Sequence, residues 1–317
     1  MIATNKIIDS IQQNYAISII NVIVVNRLLF RKSFIVTTDD GQKYIVKDYA
    51  NLVSELDYIC EYQWSLYESG LDIGIPIKNI KTKKYYTQLD SRYYVLFKYI
   101  EGSHPTHLNT KEIAECLRKY HSVAKLHSIH NLHSTKHKLY EAYDMFSNFY
   151  KSNYTIRNQI IACKDSIEKV IIQYPHDTKC DTIIHGDTIM KNMILTGNRI
   201  CLIDFDNIRM GQPIEDVANT VLSIICNDSP EFKIYTDRYQ NVRNFIDEYY
   251  CNNDKYNIEN DILYYMKVHC IIDMARYAKN IEYLIRMPSM QAYLIFLVKI
   301  IKAPSLNILI NLGVNNA

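Results

Sequence analysis

The chain carries only 8 glycines and 1 tryptophan in 317 residues, and Lys and Arg (36) barely outnumber Asp and Glu (34), for a net charge of +2. That near-neutrality removes the electrostatic case for a nucleic acid as main partner. None of the 8 cysteines shares a C-x-x-C spacing, which argues against a zinc or dithiol redox site. Several fall inside apolar runs, where cysteine acts as a small core residue, so a reducing cytoplasm is the expected setting. The opening MIATNKIIDSIQQ has no apolar stretch of the kind that heads a secretory leader. The longest apolar runs, Ile17 to Val25 and Ala292 to Val298, are too short to span a bilayer, so no membrane partner and a soluble chain are expected. Internal repeats, linkers and low-complexity segments are also missing.

What is present is apolar bulk: 48% hydrophobic residues, enough for one large domain or two lobes, and 27 tyrosines. A tyrosine excess can build a cage for a cation, but aromatic core packing is the commoner use. Ser18 to Val25 and Ser33 to Val46 read as strands, with Asp39-Asp40-Gly41 turning between Phe34–Thr38 and Lys43–Lys47. Alternation puts Tyr44 and Val46 on one face and Ile45 and Lys47 on the other. A lysine closing a buried strand needs an anionic partner, since an isolated ammonium is costly to desolvate. The next segment, Ser54 to Ser69, reads as a helix that carries Glu55, Glu61 and Glu68 and ends at Gly70. Glu61 is the expected partner of Lys47 because it lies mid-helix, with Glu55 as rival.

Ile77 to Ile80 and Tyr93 to Tyr99 read as further strands. The run YYVLFKYIEG breaks at Glu101-Gly102, which places a hinge there. Backbone groups of Lys98, Tyr99 and Ile100 are the expected contacts to an adenine edge. From Asn109, paired with Glu112 as a capping couple, the pattern turns helical. His121, His127, His130, His133 and His137 do not repeat at a ligand spacing and read as core and surface histidines.

The most informative stretch runs from Ile183 to Asp216. It holds His185-Gly186-Asp187, then Asn192, then Asp204-Phe205-Asp206. Met193–Leu195 and Ile200–Ile203 read as two strands of a hairpin turned by Thr196-Gly197-Asn198. An antiparallel pairing brings the start of the first strand, beside Asn192, to the end of the second, beside Asp204. An amide oxygen and a carboxylate are hard ligands suited to Mg²⁺. Asp187, on the loop feeding the first strand, can take a proton from a hydroxyl. A loop Asp as base, a downstream Asn on the metal and a D-F aspartate on the metal form the layout of kinase-like phosphoryl transfer.

HGDTIMKN followed by LIDFDNIRMGQPIEDVA resembles the aminoglycoside phosphotransferase and choline kinase superfamily, over residues 183 to 218 and more weakly through YIVK at Tyr44 to Lys47. The Asn26-Arg27 start and the D-G hairpin are similar to CotS-type spore-coat members. The resemblance implies an α+β, protein-kinase-like two-lobed fold. Residues 1–101 would form a small antiparallel-sheet nucleotide-binding lobe with one helix, and 102–317 a larger, mainly helical catalytic and substrate-binding lobe. It further implies Asp187 as catalytic base, Asn192 and Asp204 on Mg²⁺, and Lys47 on the nucleotide phosphates. His185 and Asp216 would be structural supports of the catalytic loop.

The implied activity is transfer of a phosphoryl group from ATP (or GTP) to a hydroxyl of a small molecule such as an aminoglycoside-like antibiotic, an amino alcohol or a sugar. The alternative is a kinase-fold scaffold or spore-coat-type protein that binds nucleotide with little turnover. Three departures bear on this. No glycine-rich phosphate loop stands between the first strands, only Asn26-Arg27-Leu28-Leu29-Phe30-Arg31-Lys32. Gly186 replaces the arginine, and Asp206 the glycine, found in protein kinases. Both point to a small-molecule kinase that needs no phospho-switch.

Overall fold

The computed structural model describes the chain except for residues 1–3, 28–30, 50–52, 128, 130–131, 150–157, 159–160, 176–181, 227–234, 252–257, 279–287, 307–308 and 310–317. Its elements run α1 (Thr4–Tyr15), β1 (Ile19–Arg27), β2 (Arg31–Thr38), β3 (Lys43–Tyr49), α2 (Val53–Glu68), β4 (Pro76–Ile77), β5 (Tyr86–Leu89) and β6 (Arg92–Lys98). There follow α3 (Thr110–Ala124), α4 (Thr135–Phe149), α5 (Lys164–Gln173), β7 (Thr182–Ile184), β8 (Met193–Thr196), β9 (Arg199–Leu202) and β10 (Arg209–Gly211). The chain closes with α6 (Pro213–Ile225), α7 (Tyr239–Tyr249), α8 (Ile258–Ala278) and α9 (Pro288–Lys302).

Two compact units emerge: Met1–Ser103 with Ile194–Asp206, and His104–Met193 with Asn207–Ala317. The chain therefore crosses between units three times, where a single crossing after residue 101 was expected.

The first unit is built on an antiparallel sheet ordered β1-β2-β3-β6-β4, with β5 also on β6. Period-two alternation gives it two apolar faces. Phe34, Val36, Val46, Tyr94 and Leu96 meet Ile7, Ile11 and Tyr15 of α1. On the other face Tyr49 and Val95 meet Leu56 and Cys60 of α2, with Tyr85 and Tyr86. Lys47 shares that second face with Tyr49, two positions along β3. Helix α1 is a second helix where one was expected; its buried stripe has only three members, spaced by four, on a largely polar segment.

The Asp39-Asp40-Gly41 turn forms as expected, with Gly41 at φ +80° and its N–H donating to the Thr38 carbonyl at 2.9 Å. The hairpin of β8 and β9 likewise turns at Gly197, φ +59°. It is tied to the unit by Leu202, whose N–H donates to the Asp72 carbonyl at 3.0 Å and whose carbonyl accepts from the Gly74 N–H at 2.8 Å.

The second unit is helical, with α8 packed against α4, α6 and α9, and α3 against α7. Within it β7 and β10 pair antiparallel, Arg209 opposite Ile184. Asn109 precedes α3 but does not cap it through its side chain. Its Oδ1 turns back to accept from the Thr106 N–H at 2.9 Å; a short amide competes for nearby backbone in this way. Of the five histidines, His121 is buried in α3, the rings of His133 and His137 stack at 4.6 Å, and His130 lies outside the described residues. No described helix is long and apolar enough to cross a membrane.

Candidate active site

The expected site residues divide between the units: Lys47 and Asp204 fall in the first, Asp187 and Asn192 in the second. In the first unit, the Lys47 ammonium donates to Asp204 Oδ1 at 2.5 Å and to Asp206 Oδ1 at 2.7 Å. The Tyr49 hydroxyl donates to that same Asp206 oxygen at 2.8 Å, and its ring lies 5.0 Å beneath the ammonium. The side chains of Lys47, Asp204 and Asp206 are 11%, 17% and 5% exposed. Burial works against the lysine's charge, but the two carboxylates outweigh it and hold its pKa above the ordinary value. Burial first, and then the charges of Asp206 and Asp204, push the Tyr49 phenol far up, so it stays a proton donor.

Asp204 adopts φ +68°, a left-handed conformation that aspartate tolerates better than most residues and that recurs where geometry serves function.

Glu61 does not hold Lys47. The inward stripe of α2 runs through Leu56, Cys60, Gln63 and Leu66, and one step of about 100° from Cys60 turns Glu61 to the exposed side. Among the described residues the ion pairs of Lys47 go to the D-F-D element instead. At the expected hinge, the Lys98 N–H donates to the Ile75 carbonyl at 3.0 Å and the Tyr99 N–H to the Lys43 carbonyl at 3.1 Å. Both N–H groups are thus engaged within the first unit; Ile100 follows directly, half-buried. The β1–β2 ladder continues to Arg27 opposite Arg31, and the connection at 28–30 lies outside the described residues.

In the second unit, Asp187 is held at two points. Asn192 donates its Nδ2 to the Asp187 carbonyl at 3.0 Å, and Asn207 donates its Nδ2 to Asp187 Oδ2 at 3.1 Å. The loop before it is braced by Asp216, fully buried in the first turn of α6. Asp216 Oδ2 accepts from the His185 N–H at 2.9 Å and lies 2.9 Å from His121 Nε2; Oδ1 accepts from the Gly186 N–H at 2.8 Å. Burial alone would raise its pKa. The His121 hydrogen bond and charge, the charge of His185 and the Gly186 N–H overcome that and hold it down at about 2. The Tyr249 hydroxyl lies 2.7 Å from His121 Nδ1, which fixes the ring from behind.

Asp206, Tyr49, Asn207 and Arg209 are the participants that sequence reasoning did not assign. For Asp206 the sequence held a partial signal: a second carboxylate stands two residues after Asp204 and accompanies it to wherever the D-F element is placed. The donors near Lys47 are carboxylate oxygens, hard ligands with the chemistry that Mg²⁺ prefers, and the lysine that neutralises them suits a phosphate-binding site. The chain's own groups fit a nucleotide with a divalent cation.

An antiparallel sheet flanked by helices, a lysine on its third strand meeting a D-F aspartate, and a helical unit bearing an H-G-D loop define a protein of kinase-like fold. The chain belongs to the phosphotransferase enzyme family (APH), whose family model matches residues 26–249. The structure is similar to that of amicoumacin kinase hAmiN in complex with AMP-PNP, Ca²⁺ and Ami: TM-score 0.72, 11% identity, 96% of this chain and 95% of that one covered. It is similar also to spectinomycin phosphotransferase APH(9)-Ia in complex with ADP and spectinomycin, at TM-score 0.63 and 16% identity, covering 95% and 98%. Choline kinase LicA from Streptococcus pneumoniae follows at TM-score 0.63 and 17% identity, covering 94% and 99%. No curated protein matches the chain by sequence.

Proposed function

We propose that this enzyme transfers the γ-phosphoryl group of ATP (or GTP) to a hydroxyl of a small molecule: an aminoglycoside-like antibiotic, an amino alcohol or a sugar. The observation that carries the proposal is the pairing of Lys47 with Asp204, a strand lysine set beside the aspartate of the D-F element. Family membership and the likeness to kinases of amicoumacin, spectinomycin and choline support the acceptor class.

Lys47 contacts the nucleotide phosphates, and Asp206 with Tyr49 keeps its ammonium aimed. Asn192 and Asp204 would hold Mg²⁺, which would supply positive charge against the nucleotide phosphates. Asp187 orients the acceptor hydroxyl and takes its proton, with Asn207 and Asn192 fixing its carboxylate and its carbonyl. Lys98, Tyr99 and Ile100 border the adenine. Positioning and charge neutralisation dominate this chemistry.

Purified protein is to be screened with γ-labelled ATP against aminoglycosides, choline, amino alcohols and sugars. With the acceptor so found, Asp187→Ala is expected to keep nucleotide binding and lower kcat roughly 10²- to 10⁴-fold. Wild-type turnover in that variant would refute the assignment. Binding of Mg-ATP without any transfer or hydrolysis by the wild type would favour a nucleotide-binding scaffold.

A further inference from the structure

Arg209 and Glu215 form an ion pair in which both side chains are 0% exposed, Nη2 to Oε2 at 3.2 Å. Arg209 Nε donates to Thr135 Oγ1 at 2.8 Å. Its Nη1 donates to two carbonyls, Gly186 at 3.1 Å and Asn207 at 3.4 Å. Those two carbonyls flank the chemistry. Gly186 immediately precedes Asp187, and Asn207 donates its side-chain amide to the Asp187 carboxylate. The glycine is shaped for the cation: a Cβ at Gly186 would lie 2.1 Å from Arg209 Nη1, and φ there is +74°. Glu215 is itself fixed by the Thr135 hydroxyl at 2.6 Å, the Tyr174 hydroxyl at 3.0 Å and the Gln212 N–H at 3.0 Å. The guanidinium is therefore held from behind while it grips both backbone segments.

We infer that Arg209, anchored by Glu215, is a positioning residue for phosphoryl transfer. It clamps the segment that carries Asp187 to the segment that carries the amide orienting Asp187, and it never touches substrate. A cation supplied from β10 thus occupies the space that Gly186 leaves open. Because its counter-ion is buried beside it, the clamp is permanently set and answers to no phosphorylation. This rests on Asp187 being the base.

A merely structural role makes a different forecast. Replacing both members of a buried ion pair by well-packed apolar residues of similar volume is often neutral or stabilising, whereas removing one member is strongly destabilising; Gln in place of Glu215 keeps an oxygen for the Tyr174 hydroxyl and the Gln212 N–H. The test therefore uses R209M/E215Q in the full chain. Hydrolysis of Mg-ATP, with water as acceptor, gives kcat and KM. Amide hydrogen exchange across residues 184–188 gives loop order and requires no turnover. The expected result is a kcat at least tenfold lower, a KM for ATP within twofold of wild type, and exchange at 184–188 at least tenfold faster in a protein that melts near the wild-type temperature. A folded double variant with kcat and exchange both within twofold of wild type overturns the inference.

Should the double variant not fold, Arg209→Lys keeps the charge opposite Glu215 but loses the fork. A drop in kcat and a rise in exchange of threefold or more are then expected, and no change in either overturns the clamp. Asp187→Asn is measured alongside. If that variant hydrolyses ATP at the wild-type rate, it is the base assignment that fails, and exchange at 184–188 alone decides whether Arg209 orders the loop.

Discussion

Asp216→Asn is nearly isosteric and still expected to be costly. The aspartate offers only acceptors, and all of its assigned partners approach it as donors: two backbone N–H groups and the imidazole of His121. An asparagine has one acceptor oxygen, so in either orientation its NH₂ faces a backbone N–H that it cannot satisfy. Losing a hydrogen bond to a charged group costs about 1.5–3 kcal/mol, and a buried unsatisfied donor about 1–3 kcal/mol more. The sum, about 2.5–6 kcal/mol, is a large part of an ordinary folding stability of about 5–15 kcal/mol.

The pKa gives an independent figure. Depression from 3.8 to about 2 corresponds to about 2 kcal/mol in favour of the charged carboxyl at about 1.4 kcal/mol per unit. That contribution is fully present above pH 3.8 and is lost as pH falls toward 2, because below 3.8 the unfolded chain takes up the proton first. The assay is urea unfolding followed by far-ultraviolet circular dichroism, which reads the helices of the unit that holds Asp216; Trp64, the one tryptophan, lies in the other unit. A variant within 0.5 kcal/mol of wild type at neutral pH (about the scatter of ordinary surface substitutions) would refute the reasoning. So would a stability gap that fails to narrow below pH 3.8.

Three other outcomes test the same framework. His269 is buried, with Nε2 2.9 Å from the Glu215 carbonyl; burial and then the Arg209 charge lower its pKa from 6.5 to about 4. Its contribution, about 3 kcal/mol by the same conversion, is full above pH 6.5 and is lost as pH falls to about 4, so the urea midpoint should drop across that window in wild type and less steeply in His269→Gln. Tyr49→Phe removes the hydroxyl bonded to Asp206 and should raise the KM for ATP about threefold or more, consistent with about 1 kcal/mol for that bond. Glu61→Ala should leave the KM within twofold, and the reverse ranking of these two variants would restore the helix glutamate as the lysine's partner.

Local chemistry was legible in the sequence wherever a turn or an alternation dictates it. Asp40-Gly41 and Gly197-Asn198 specify tight reversals because Gly41 and Gly197 accept positive φ, and alternation placed Lys47 on the correct face of β3. The need of that lysine for an anion was equally plain, but which anion it finds depends on a contact across 157 positions, which no periodicity records. Helix α1 passed unnoticed because three inward residues in twelve make a thin stripe. The side-chain cap proposed for Asn109 failed because Thr106 offered its amide a nearer partner.

Arg209 left one trace, a lone cation between two apolar neighbours, Ile208 and Met210. Only its proximity to Gly186 gives that trace a meaning.

The tether of Lys47 has a consequence for control of the enzyme. A lysine steadied by its own strand neighbour and by the D-F-D element owes nothing to the tilt of α2. The familiar way of throttling a kinase, swinging a helix so that its glutamate lets go, finds no Glu61–Lys47 pair to release among the described residues, where the lysine's ion pairs go to Asp204 and Asp206.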